Sequence, residues 1–130
     1  MRVSLSLGSS LAKYLFKKKF LSKERFPLVL MLEVTHLCNL ACEGCGRIRE
    51  YKETMREMLS VEECIQAVDE CPAPVVTVTG GEPLMHPEID KIISAIIEKK
   101  RHIYLCTNGI LLADAIKKLK PSKYFNINVH

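Results

Sequence analysis

The sequence contains no apolar run of the roughly 18 to 20 residues needed to cross a bilayer. The stretch from Met1 to Ser10 lacks a basic head followed by a continuous hydrophobic core. Both absences lead to the expectation of a cytoplasmic chain. Internal repeats and low-complexity segments are missing as well. Acidic residues are scarce at the start: Met1 to Phe26 holds seven Lys and Arg against Glu24 alone, a charge of +6, so Pro27 to His130 carries −2 of the net +4. Basic residues interleaved with aromatics across the body of the chain, as a nucleic-acid surface requires, are therefore lacking, and no nucleic-acid partner is expected.

What is present suits one globular domain: 130 residues, 48% apolar and 26% charged, a composition outside the disordered range. Six cysteines without an export signal argue for metal binding or thiol chemistry over a disulfide framework. Three of them cluster. Cys64, Cys71 and Cys106 are scattered, and an isolated cysteine commonly serves as a small buried apolar residue.

Residues 1–26 read as a basic amphipathic segment. Leu11, Tyr14, Leu15, Lys18 and Leu21 sample one helical face, with Ser9 or Ser10 as a cap. Two readings stand side by side: a helix resting on an anionic membrane surface, and a helix packed on the domain with solvated lysines.

From Pro27 the pattern becomes an alternation. Leu28 to Val34 is a short apolar run, read as a strand buried on both faces. Ser60 followed by Glu63 is a capping-box signature opening a helix with Val61, Ile65 and Val68 inward, closed by Pro72 and Pro74. Val75 to Thr79 is a β-branched strand stopped by Gly80-Gly81. Pro87 opens a second helix with Ile89, Ile92, Ile93, Ile96 and Ile97 on one side. Ile103 to Thr107 is a third strand, Leu111 to Leu119 a third helix and Tyr124 to His130 a fourth strand. Such an order implies an α/β fold of parallel β/α units, either doubly wound or curled into part of a barrel. The fourth strand has no following helix, which suggests a fragment of a longer protein.

Cys38, Cys42 and Cys45 are spaced C-x3-C-x2-C just past the first strand, at the end where α/β proteins gather ligands. Three thiolates from one tight loop can grip three corners of a [4Fe-4S] cubane and leave the fourth iron open. Zinc is the competing occupant and would take His36 as a further ligand, although no second C-x2-C pair is present. Gly80-Gly81-Glu82-Pro83 and Thr107-Asn108-Gly109 follow the second and third strands at the same end of the sheet. Two glycines allow close backbone approach to a ligand, Glu82 is an acceptor for a cationic group, and Asn108 carries donors and acceptors. His36, His86 and His130 also fall near that end, where a lone histidine is more often structural or solvated; His102 reads as punctuation at a helix end.

This ordered set, from Pro27 onward, resembles the radical S-adenosylmethionine superfamily. The resemblance implies a partial β/α barrel of the TIM type, the radical SAM core, truncated after strand 4, with residues 27–130 as its N-terminal part. It further implies a [4Fe-4S] cluster on Cys38, Cys42 and Cys45, and S-adenosylmethionine near Gly80, Gly81, Glu82 and Asn108. An external electron donor such as flavodoxin or ferredoxin is implied with it. Gly44 stands where most members carry an aromatic residue, which implies a different hold on the adenine.

A closer likeness within the superfamily is to the adenosyl-hopene transferase subgroup of hopanoid biosynthesis. It is carried by Arg25 to Glu33, Cys42-Glu43-Gly44-Cys45-Gly46 and Tyr104 to Asn108. This likeness implies addition of a 5′-deoxyadenosyl radical to the alkene of a hopene-like lipid. Cys106 then becomes a candidate hydrogen-atom donor, beside the plainer reading that it fills core. The lipid substrate also offers a reason for the basic N-terminal helix, as a peripheral membrane contact that would bring the barrel mouth to the inner membrane face.

Overall fold

The computed structural model describes residues 5–20, 25–46 and 53–130. Its centre is one parallel sheet of β1 (Val29–Thr35), β2 (Val75–Gly80), β3 (His102–Thr107) and β4 (Phe125–Val129), in the spatial order β1-β2-β3-β4. A doubly wound sheet reverses its strand order at a switch point, whereas this order advances one strand at a time, as a barrel wall does. The fold expected from the alternation is present, and the spatial order selects the barrel form.

Apart from α1 (Leu5–Phe20), the helices are crossovers: α2 (Val61–Glu70) between β1 and β2, α3 (Ile89–Glu98) between β2 and β3, and the short α4 (Leu112–Ala115) before β4. Leu32, Val34, Val76, Val78, Ile103 and Leu105 point from the strands toward Cys64 and Val68 of α2 and Ile89, Ile92, Ile93 and Ile96 of α3, in one buried cluster. The isoleucine face of α3 lies as its spacing predicts. On α2 the central residue is Cys64, fully buried, while Val61 and Ile65 are half-buried. Burial pushes the Cys64 thiol up to about 11, with a smaller push from Glu63, so this cysteine is core and not a ligand.

Several local expectations are corrected. β1 is buried on one face only: Val29 and Met31 are 50% and 65% exposed on the side away from the helices. That side is the concave face of the four-stranded wall. The third helix shrinks to Leu112–Ala115, none of it fully buried; Leu111, Leu112 and Ala115 pack partly buried against the core, and Leu119 beyond it is buried. Pro87 precedes α3, which starts at Ile89 behind a 3-10 turn, Pro83–Met85.

α1 begins at Leu5, so Ser9 and Ser10 lie inside it and cap nothing. Leu7 is buried, and Ser10, Leu11 and Tyr14 are half-buried on the same face; Leu21 falls outside the described residues. The helix crosses the N-terminal ends of the strands. Ser6 Oγ donates to the Lys123 carbonyl before β4, the Tyr14 hydroxyl donates to the Pro27 carbonyl before β1, and Ser10 Oγ lies 3.1 Å from His102 Nε2 at the start of β3. His102 is thus a buried strand residue, edge-on to Tyr124, and not a helix-end marker. No described helix is long and apolar enough to cross a membrane.

Two measurements check these assignments. Ser60 caps α2 with both capping-box bonds in place, its Oγ accepting from Glu63 N–H and its N–H donating to Glu63 Oε2. Ser60→Ala is expected to cost about 1 kcal/mol in urea unfolding, and Ser9→Ala much less. For His102, burial and then nearby Lys123 lower the pKa, so the folded state binds the proton less well than the unfolded chain. Its contribution is intact above the free value of about 6.5 and is lost as the pH falls below it. The stability difference between wild type and His102→Gln should therefore shrink as unfolding is followed from neutral to mildly acidic pH.

Candidate active site

Three loops leave the C-terminal ends of β1, β2 and β3 and are tied into one unit. The tightest contact is backbone on backbone: Gly81 N–H donates to the Thr35 carbonyl at 2.8 Å and Glu82 N–H to the Leu37 carbonyl at 2.7 Å. A Cβ on Gly80 would run into the Thr35 backbone, and one on Gly81 into the carbonyl oxygens of His36 and Leu37. The φ of Gly80, +151°, is also one that side chains disfavour. The two glycines therefore admit the root of the cysteine loop.

Glu82 is 1% exposed, and both oxygens of its carboxyl group accept hydrogen bonds from the protein. Oε1 accepts from Thr107 Oγ1 at 2.7 Å and from Leu84 N–H at 3.0 Å; Oε2 accepts from Asn108 N–H at 2.8 Å. It is a clamp between the second and third loops. Asn108 completes the tie, with Nδ2 donating to Asn39 Oδ1 at 2.7 Å inside the cysteine loop and Oδ1 accepting from Ile110 N–H. The sequence pattern does not mark Thr107 or Asn39 for these bonds, since a lone threonine or asparagine carries no local signal for a partner 25 or 69 positions away.

The cysteine loop is anchored at its root and open at its tip. Cys38 and Cys42 are exposed and Cys45 half-exposed, all on the rim formed by these loops. Gly44 at φ +79° lets the chain turn so that Cys45 N–H donates to the Cys42 carbonyl, and Leu40 N–H points at Cys38 Sγ from 3.4 Å. Among the described residues no group of three His, Cys, Asp or Glu side chains is already arranged as a metal site. The donor set suits a cubane, which takes one thiolate at each of three separate corners. His36 serves the fold instead: its Nδ1 lies 3.0 Å from the Thr54 carbonyl, which can only accept, so that nitrogen carries the proton. It holds the returning segment, whose Met58 forms an antiparallel bridge to Thr35 and covers the edge of β1. His86 is buried and equally structural, with Nε2–H donating to the Leu59 carbonyl and Nδ1 accepting from Glu88 N–H.

Cys106 lies on the concave face of the sheet, next to last in β3 and paired in register with Asn128. It is half-exposed and absent from the main core cluster. Burial raises the thiol pKa, partly offset by the Asn128 side chain, so the group is an S–H at neutral pH. α1, by contrast, is at the opposite end of the strands from this rim.

A family model described as the radical SAM superfamily matches residues 32–130. GTP 3′,8-cyclase of Aquifex aeolicus is 33% identical over 120 residues, covering 85% of this chain and 38% of the cyclase. GTP 3′,8-cyclase 1 of Mycobacterium tuberculosis is 34% identical over 110 residues, covering 77% of this chain and 31% of the relative. The chain thus spans about a third of the length of these curated relatives. Among solved structures, Streptococcus suis SuiB bound to S-adenosylmethionine superposes with a TM-score of 0.68 at 25% identity, covering 93% of this chain and 29% of SuiB. SuiB bound to its precursor peptide SuiA superposes at 0.69 with 23% identity, a likeness of fold, covering 99% and 30%. These relatives bear the names of other reactions, so the comparisons support the superfamily and not the hopene subgroup.

The inter-loop contact can be tested directly. Gly81→Ala should lower stability by about 1–3 kcal/mol or more, because the obstructing atoms are backbone. Gly46→Ala, with nothing within 4 Å of the added carbon, should leave thermal unfolding nearly unchanged.

Proposed function

The chain belongs to the radical S-adenosylmethionine superfamily, and from that premise we propose that Cys38, Cys42 and Cys45 hold its [4Fe-4S] cluster in an enzyme acting on a hopene-like lipid. The observation that carries the cluster assignment is three accessible thiols in one loop whose root is pinned by backbone bonds to the Gly80–Glu82 turn. When bound, the cluster supplies the electron that splits S-adenosylmethionine into methionine and a 5′-deoxyadenosyl radical.

The chain's own residues position the pieces. Glu82 and Thr107 set the spacing of the β2 and β3 loops, and Asn108 sets the cysteine loop against both. Gly80, Gly81 and Asn108 face the space proposed for the methionine end of the cofactor.

For the substrate, the reading rests on the likeness of Arg25 to Glu33, Cys42 to Gly46 and Tyr104 to Asn108 to the adenosyl-hopene transferases. On this reading the bound cofactor would supply a radical for carbon–carbon bond formation at the hopene alkene, which would leave a carbon radical on the substrate. Cys106 S–H gives that carbon a hydrogen atom and becomes a thiyl radical, which one further electron from a flavodoxin- or ferredoxin-type donor and one proton return to the thiol. The concave-face position and the raised thiol pKa support this role. A second reading, a different radical reaction on a polar substrate, draws on the named cyclase relatives.

Anaerobic reconstitution of the full-length protein decides among these. A brown, oxygen-sensitive protein is expected, with colour lost in Cys38→Ala, Cys42→Ala and Cys45→Ala; a colourless zinc-bound product would sink the cluster assignment. With reductant and hopene, an adenosyl adduct is expected. Free 5′-deoxyadenosine without adduct would keep the superfamily and discard the hopene substrate. Cys106→Ala should still cleave S-adenosylmethionine while reduced adduct falls by about tenfold or more, and an unchanged rate of adduct formation would exclude the thiol as donor.

A further inference from the structure

α1 has two apolar faces, and the domain uses one. At 100° per residue Leu7, Leu11 and Tyr14 share the inward side, whereas Leu5, Ala12, Phe16 and Phe20 fall on the opposite side. Leu5 is 94% exposed, Phe16 65% and Phe20 71%. The two phenylalanine rings rest on each other with centroids 4.4 Å apart, a contact that leaves their outer surfaces in water. Lysines flank this strip, Lys13 and Lys17 on one side and Lys19 on the other, and the helix contains no acidic residue. Lys18 turns inward over the Tyr14 ring.

We propose that the outer face of α1 docks on an anionic lipid bilayer. An apolar centre of two phenylalanines with flanking lysines matches the acyl boundary and the acidic headgroups of such a surface, where the long lysine stems reach outward to phosphate. Charge selects this occupant over a second copy of the chain, because face-to-face packing of two such helices would bring their lysines together with no carboxylate between them. Three side-chain contacts, through Ser6, Ser10 and Tyr14, tie the helix to the domain, so docking fixes the orientation of the whole sheet.

That orientation has a definite sense. α1 crosses the N-terminal ends of the strands, and the cysteine loop leaves their C-terminal ends, about 20 Å away along the strands. The bilayer therefore lies behind the sheet and the rim faces away from it. This docking is independent of the hopene reading, since it follows from α1 alone and holds for any substrate.

The test is vesicle co-sedimentation of the full-length protein, with phosphatidylcholine alone and with phosphatidylcholine containing phosphatidylglycerol, at low and high salt. Anionic vesicles should bind at least about tenfold better than neutral ones, and high salt should remove most of that preference. Phe16→Ser with Phe20→Ser, both exposed and so expected to leave the far-ultraviolet circular dichroism unchanged, should lower binding by about tenfold or more. Lys13→Gln, Lys17→Gln and Lys19→Gln together should erase the lipid-charge preference. Equal absence of binding to both vesicles, or a phenylalanine variant that binds like wild type, overturns the proposal. So does a wild-type dimer that the phenylalanine variant dissolves while neither binds vesicles. Because adduct formation is assayed separately, loss of docking and loss of the hopene reading are distinguishable.

Discussion

The buried carboxyl group of Glu82 is the interaction on which the geometry of the rim depends. It accepts hydrogen bonds from Thr107, Leu84 and Asn108, and so joins the exits of β2 and β3. An acceptor left unpaired in such a place costs about 1–3 kcal/mol, so the two loops are held at one spacing. The exit of β1 joins the same unit through the backbone bonds of Gly81 and Glu82 and through Asn108 on Asn39. Three strand ends that are distant in sequence become one rigid base.

Rigidity at the root contrasts with openness at the tip. Beyond Leu37 the cysteine loop keeps a tight turn at Cys42–Cys45 and the Asn39 contact, while its thiols face solvent. A loop proposed to close on an inorganic cluster needs both properties, a fixed origin and thiolates able to settle on the metal. Cys106 belongs to a different surface, the concave face, where Glu33, Met31, Thr77 and Asn128 also point away from the helices. Chemistry assigned to the rim and chemistry assigned to the concave face therefore meet at the upper end of β3.

α1 occupies the other pole of the molecule. Its inner face completes the base of the sheet and its outer face is left with phenylalanine and lysine in water. The separation of the two poles by the length of a strand means that attachment and radical chemistry place independent demands on the sequence.

Much of this architecture is legible in the residues alone, because it is written in local repeats. Isoleucines at helical spacing mark α3, β-branched runs mark β2 and β3, Ser60 with Glu63 marks the start of α2, and the cysteine spacing identifies the loop that the superfamily match covers. What only the tertiary structure decided involves partners far apart in the chain. Sequential strand order chose a barrel wall over a doubly wound sheet; the approach of the Thr35–Leu37 backbone gave Gly80 and Gly81 a packing reason; and the donors from Thr107 and Asn108 showed Glu82 joining two loops. The placement of α1 across the N-terminal ends of the strands was likewise invisible to periodicity. A side chain's spacing reports which face it shares with its neighbours, but hydrogen bonds across 25 or more residues form only when the sheet brings their ends together.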